Sequence, residues 1–241
     1  MSACADVGWK VGLRWKVGFR VATDSTCTQA VFQTAPDDLF QRLCTLSFKG
    51  HLVPLAQHPT ANFGVQAALA ALRKPQQLKR MFEDLRPHLG ALLRMRRAGV
   101  VAALLAATGR LRALEADVVA AVWHAAGGLA GSSGGPLEAL LALDTTAQLD
   151  PGSSGRVRLS TLGCAMLQAL FRLPPAAVKQ WSEALVGLVP GVAQHVARDP
   201  GGCRVLEAYL EGPGAVPKKR RALLQALEGS WAAIAMGGSG R

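Results

Sequence analysis

Asn62, Phe63 and Gln66 are the residues whose types and spacing are best suited to act on a partner. Residues four apart share one face of a helix. Two carboxamides at 62 and 66, each carrying donors and an acceptor, can therefore reach the same polar edge while an aromatic ring at 63 projects beside them. A hydrogen-bonding edge next to a flat stacking surface suits an unstacked heterocyclic base. Such chemistry binds and transforms nothing. Four other sets fall in the same register: Ser25 with Gln29, Gly99 with Ala103, Cys164 with Gln168, and Cys203 with Glu207.

These sets need a scaffold that repeats. Their starts, Ser25, Asn62, Gly99, Cys164 and Cys203, are separated by 37, 37, 65 and 39 residues. An apolar anchor stands seven residues ahead of several of them: Leu55, Leu92 and Val196. Each set thus predicts a helix preceded by a second one. A third helix is expected after Pro36, Pro75, Pro174 and Pro217, because proline in a first turn presets φ and forfeits no hydrogen bond. The long interval contains two Gly/Ser-rich stretches, 127–136 and 150–155, which read as surface insertions flanking a short helix around Leu137 to Leu143. A unit of about three helices cannot bury its apolar face alone and must stack on its neighbours. The expectation is an all-α fold, a curved α-solenoid of three-helix repeats, with about five repeats over residues 21–241. Residues 1–20, with the tandem Trp9-to-Arg14 and Trp15-to-Arg20 segments, read as a separate basic arm. Ile234 matches the anchors, and the chain stops seven residues later at Arg241, so the expected next helix is missing and the sequence reads as truncated.

Composition agrees with this organisation. Half of the residues are hydrophobic but only 5% are aromatic, and Ala and Leu dominate, which favours helix over sheet. The net charge of +11 suits a polyanionic partner. Five scattered cysteines without a CxxC pair read as reduced thiols. The longest strongly apolar stretch, Ala98 to Thr108, is shorter than the roughly 20 residues needed to cross a bilayer.

A repeat of this length with the pattern Gly or Ala, two variable residues, two apolar residues, then Gln or Glu resembles the Pumilio (PUF) family of RNA-binding proteins, and the resemblance implies a right-handed α-solenoid (superhelix) of Pumilio/armadillo-like three-helix repeats. Phe48 to Phe63, Gly99 to Leu105 and Asp199 to Pro213 bring it nearest to the nucleolar protein nine type, similar to plant nucleolar Pumilio proteins. The resemblance implies that Asn62 with Gln66 reads uracil, with Phe63 stacking between bases. It implies that Cys203 with Glu207 leans towards guanine, with Arg204 stacking, and that Cys164 with Gln168 is an adenine-type pair in which Ala165 gives no stacking surface. Ser25 with Gln29, flanked by Thr26, is an ambiguous reader. Gly99, Val100 and Ala103 depart from the pattern and offer neither hydrogen bonds nor a plane. The branch further implies single-stranded pre-ribosomal RNA as partner, together with pre-ribosomal particle proteins, small-subunit (18S) rRNA processing, and a place in the nucleolus within the nucleus. The other readings are a HEAT/armadillo-like scaffold for protein partners and a cytoplasmic Pumilio-type mRNA regulator.

Nothing in the sequence calls for a cofactor, a metal, a membrane or a small-molecule substrate. No nucleophile with its base, phosphate loop or catalytic carboxylate pair emerges, so no enzyme is expected. His51 and His58 lack the companions of a tetrahedral site and read as helix-end histidines, with His58-Pro59 marking a turn. The clusters Lys79-Arg80, Arg94 to Arg97 and Lys218 to Arg221 suit phosphates or a nuclear address, and a solvated helix face explains them equally well.

Overall fold

The computed structural model describes residues 25–130, 134–143 and 158–228, and all regular structure within them is helical. The helices are α1 (Ser25–Thr34) and α2 (Asp37–Phe48); α3 (Leu52–Gln57), α4 (Asn62–Ala71) and α5 (Pro75–Leu85); then, after a 3-10 turn at Arg86–His88, α6 (Leu89–Arg94), α7 (Ala98–Leu111) and α8 (Glu115–Gly127). Next come α9 (Pro136–Leu141), α10 (Thr161–Phe171) and α11 (Lys179–Val186), followed by α12 (Pro190–Arg198), α13 (Pro200–Glu211) and α14 (Pro217–Ala226). Helices as short as α3, α6 and α9 are unstable in isolation. They persist because Leu52 and Ala56, Leu89 with Leu92 and Leu93, and Leu137 with Leu140 and Leu141 are all buried. α5 shows why a third helix docks: Leu78, Met81, Phe82 and Leu85 form one buried stripe at helical spacing.

The chain is an α-solenoid. α1 packs on α4, α4 on α7, α7 on α10 and α10 on α13, so the five helices that carry the recurring sets form one continuous row. Small residues let the short first helices close against that row. A Cβ on Gly163 would lie 1.8 Å from the carbonyl oxygen of Leu140 in α9, and one on Gly202 would lie 2.1 Å from that of Val196 in α12. Ala61 and Ala98 hold the same place, directly before Asn62 and Gly99, each 1% exposed. α9 thus stands to α10 as α12 does to α13, and the extra length of the long interval separates first helix from row helix within that unit, at 142–160. Residues 1–20 and 150–155 lie outside the described residues.

Helix ends are closed by recurring devices. Asp199 caps α13, its Oδ1 accepting from the amides of Gly201 (2.7 Å) and Gly202 (3.1 Å). Ser160 Oγ accepts from Gly163 (3.1 Å), and His58 Nδ1 accepts from Ala61 (3.1 Å). All three stand four residues before their set. At the other end, orphan carbonyls of one row helix are taken by an arginine of the next unit. Arg73 Nη2 donates to Ala35 (2.6 Å) and Gln33 (3.3 Å), and Arg110 donates from Nη1 to Leu72 and from Nη2 to Leu69 (3.1 Å). A cation there also meets the negative end of the helix dipole. Arg73 bonds Asp37 as well (2.6 Å) and, with Lys74, holds that carboxyl below its ordinary range.

Helices follow Pro36, Pro75 and Pro217 directly, but α11 begins only at Lys179. Pro174 precedes a second proline, which disfavours helical geometry at 174, and the chain turns first, with the amides of Ala177 and Val178 bonding to the Pro174 carbonyl.

Two substitutions probe these contacts. Arg110→Met keeps the aliphatic stem but strips the carbonyls of α4 of their charged donor, and should cost about 1–3 kcal/mol. Gly202→Ala presses a methyl into the backbone of α12 and should cost about 1–3 kcal/mol by overpacking. Urea denaturation followed by circular dichroism measures both; a midpoint equal to wild type would show that the contact in question carries no stability.

Candidate nucleic-acid interface

Along the row, the three positions of each set have different environments. The second position faces outward in α4, α10 and α13: Phe63 is 49% exposed, and Ala165 and Arg204 are also exposed. The fifth position is at least partly exposed, as Gln66, Gln168 and Glu207 show. The first position turns into the seam between units. Asn62 is 3% exposed and Cys164 1% exposed, while Cys203 is half-buried. Phe63, Gln66, Gln168, Arg204 and Glu207 are thus at least partly exposed side chains on a succession of packed row helices.

Asn62 lies in that seam with its hydrogen bonds already made inside the protein. Its Nδ2 donates to the carbonyls of His58 (2.8 Å) and Pro59 (2.8 Å), and its Oδ1 accepts from Gln66 Nε2 (2.8 Å). The pair predicted to read one edge together is thus bonded to itself, with Asn62 closing the turn. Gln66 is left with its Oε1 and its second N–H, side by side. An adjoining acceptor and donor can pair with one edge of a pyrimidine or purine.

The other sets are built differently. Cys203 donates from Sγ to Glu207 Oε1 at 3.9 Å, and burial followed by the Glu207 charge raises its thiol pKa, while Arg204 opposes the shift. Among the described residues no ion pair joins Arg204 to Glu207, which leaves the guanidinium plane available. Cys164 is closed off by the start of α13, its Sγ lying 3.1 Å from where a Cβ on Gly201 would sit. Burial, with the Asp199 carboxylate adding, pushes its thiol pKa up to about 11. In α7 Val100 is fully buried and Ala103 partly so, leaving no polar or planar side chain on the face. α1 spans Ser25 and Gln29, whose side chains lie outside the described residues.

The basic clusters are distributed unevenly around this row. Lys79-Arg80 is on α5, where Lys79 approaches Glu83 (3.9 Å), and Lys218 to Arg221 is on α14, where Lys219 approaches Glu183 (3.7 Å). Neither is on a row helix. Arg94 to Arg97 joins α6 to α7, directly ahead of the row, and Arg97 Nε is bonded to the Gln57 carbonyl (3.2 Å). Among the described residues there is no group of three metal-ligating side chains and no helix long and apolar enough to cross a membrane. The capping and stapling residues escape a search for chemistry, yet their signal is periodic. A cap stands four residues before three of the sets, and an arginine stands eleven after Asn62 and after Gly99.

This geometry has known counterparts. Nucleolar protein 9 of Mus musculus is 30% identical over 236 residues, 90% of this chain and 37% of that protein. Pumilio homolog 23 of Arabidopsis thaliana is 28% identical over 224 residues, 90% of this chain and 29% of that protein. The chain therefore spans about a third of the length of these relatives. A solved structure of APUM23 with GGAAUUGACGG superposes with a TM-score of 0.83 at 28% identity, over 93% of this chain and 43% of that one. The RNA-binding domain of yeast Puf5p, at 12% identity and a TM-score of 0.54, shares the fold. The family model described as the NOP9-like PUF repeat domain matches residues 19–241, and the chain belongs to that family.

Proposed function

We propose that this chain binds single-stranded RNA along the row α1, α4, α7, α10 and α13, as a piece of a nucleolar factor that holds pre-ribosomal RNA during small-subunit (18S) rRNA maturation. The observation that carries this reading is the exposed ring of Phe63 beside a Gln66 amide held in one orientation, on a continuous row of helices. Bases stack on Phe63 and on the Arg204 plane, and Gln66, Glu207 and Gln168 meet their edges. Asn62 and Cys203 contribute by holding Gln66 and Glu207, and Ser25 with Gln29 extends the row at its first helix. The net charge of +11 draws the phosphates. The kinship supports the nucleolar assignment: one relative is named for the nucleolus, and another is solved with a U-containing, hence RNA, oligonucleotide. The protein acts by binding, in a family of binding modules, alongside other proteins of the pre-ribosomal particle.

Fluorescence anisotropy with a labelled GGAAUUGACGG strand tests the reading. Phe63→Ala should weaken binding by about 1–3 kcal/mol through lost stacking, and Gln66→Ala should lower the preference for uracil over cytosine. The assignment of these side chains falls if neither substitution moves affinity by about 1 kcal/mol. Equal affinity for duplex DNA of the same length would reduce the interaction to bulk charge.

A further inference from the structure

Gly99 has no backbone reason to be glycine. It lies in the first turn of α7 with ordinary negative φ, where alanine is the better helix former by roughly 0.5–1 kcal/mol. The equivalent positions of α1, α4, α10 and α13 carry Ser25, Asn62, Cys164 and Cys203, all with side chains. At 99 a side chain would have to displace the end of the Gln66 side chain. A Cβ there would lie 2.7 Å from Nε2, 2.8 Å from Cδ and 2.8 Å from Oε1 of Gln66, so the whole carboxamide rests across the α-carbon of Gly99. The same amide is tethered from its own helix by Asn62 Oδ1 at 2.8 Å.

We infer that Gly99 is a positioning residue for Gln66, and that α4 and α7 together form a single reading unit in which the third repeat supplies the seat instead of a reader of its own. Asn62 fixes the sense of the amide, since exchanging its oxygen and nitrogen would set two acceptors against each other. Gly99 fixes its place, since the bare α-carbon is the floor on which it lies. This also accounts for the rest of the third set. Val100 and Ala103 present nothing to a base, and a stacking or hydrogen-bonding side chain at 99 would displace the neighbour's reader. The inference rests on the RNA reading proposed above for its consequence, but the seat itself exists in the free protein.

Gly99→Ala tests both parts, and alanine early in a helix should leave the thermal midpoint equal or higher. In the free protein, the Gln66 side-chain NH2 resonances, identified by their loss in Gln66→Ala, should shift and exchange with solvent faster in Gly99→Ala. Unchanged resonances would overturn the seat whatever the protein binds. With GGAAUUGACGG and its single U-to-C variants, Gly99→Ala should reduce the uracil preference found in the wild type by about five-fold or more, the loss of roughly one hydrogen bond. It should have no such effect in a Gln66→Ala background, a coupling that a general structural change would not produce. A shifted amide with undiminished uracil preference would overturn the positioning role, and a wild type that binds no RNA would overturn the function proposed above and the reading unit with it.

Discussion

The molecule depends on how closely one helix backbone can approach the next. Four of the five recurring sets are preceded by Ala61, Ala98, Gly163 or Gly202, and at the two glycines the facing carbonyl comes so near that even a methyl group is excluded. That contact clamps a short first helix onto the row helix, letting six-residue α3, α6 and α9 persist and fixing the direction in which each unit meets its neighbour. The apolar core follows from the stacking. Aromatic pairs such as Trp123 with Trp181 and Phe171 with Tyr209 join helices of adjoining units, so neighbours share a core that neither could complete alone.

The same closeness decides what the face can offer. The first position is buried at Asn62 and Cys164 and half-buried at Cys203, and a buried polar side chain must find partners inside the protein. Asn62 does so through the turn carbonyls and Gln66, Cys203 through Glu207, and Cys164 is simply shut in. On the proposed reading contact with a ligand passes to the second and fifth positions, and at the fifth Gln66 is held by Asn62 and Glu207 by Cys203. Holding a side chain before it binds lowers the ordering cost of binding.

Much of this was legible in the sequence because stacking imposes a period. The 37-residue offset, the apolar anchors and the prolines ahead of α2, α5 and α14 place the helices correctly. Spacing places Asn62 and Gln66 on one side of a helix, yet a step of four residues turns about 40°, enough to send one into a seam and leave the other outside. Which goes where depends on the neighbouring unit, and no pattern within the helix encodes it. The seat at Gly99 was hidden for the same reason: alone it reads as a missing side chain, and only the position of Gln66 from the unit before gives it a purpose. Arg73 and Arg110 look like solvated charge at a helix end until the facing carbonyls are known.

Charge is arranged around the row and is sparse on it. α4 and α10 carry no charged residue, and α7 has only the stapling Arg110. The cations instead stand ahead of successive row helices: exposed Arg94 and Arg96 with half-buried Arg97 before α7, exposed Arg158 before α10, and exposed Arg198 before α13. The amino ends of these helices add the positive pole of their dipoles on the same side. In the proposed mode a flexible polyanion is attracted along one edge of the row while its flat groups meet a face of ring and amide whose charges, Arg204 and Glu207, lie on α13. Such a division separates the two contributions to binding. In the proposed mode the edge supplies affinity that falls with salt and ignores sequence, and the face supplies discrimination that depends on whether a few side chains, Gln66 first among them, are held in place.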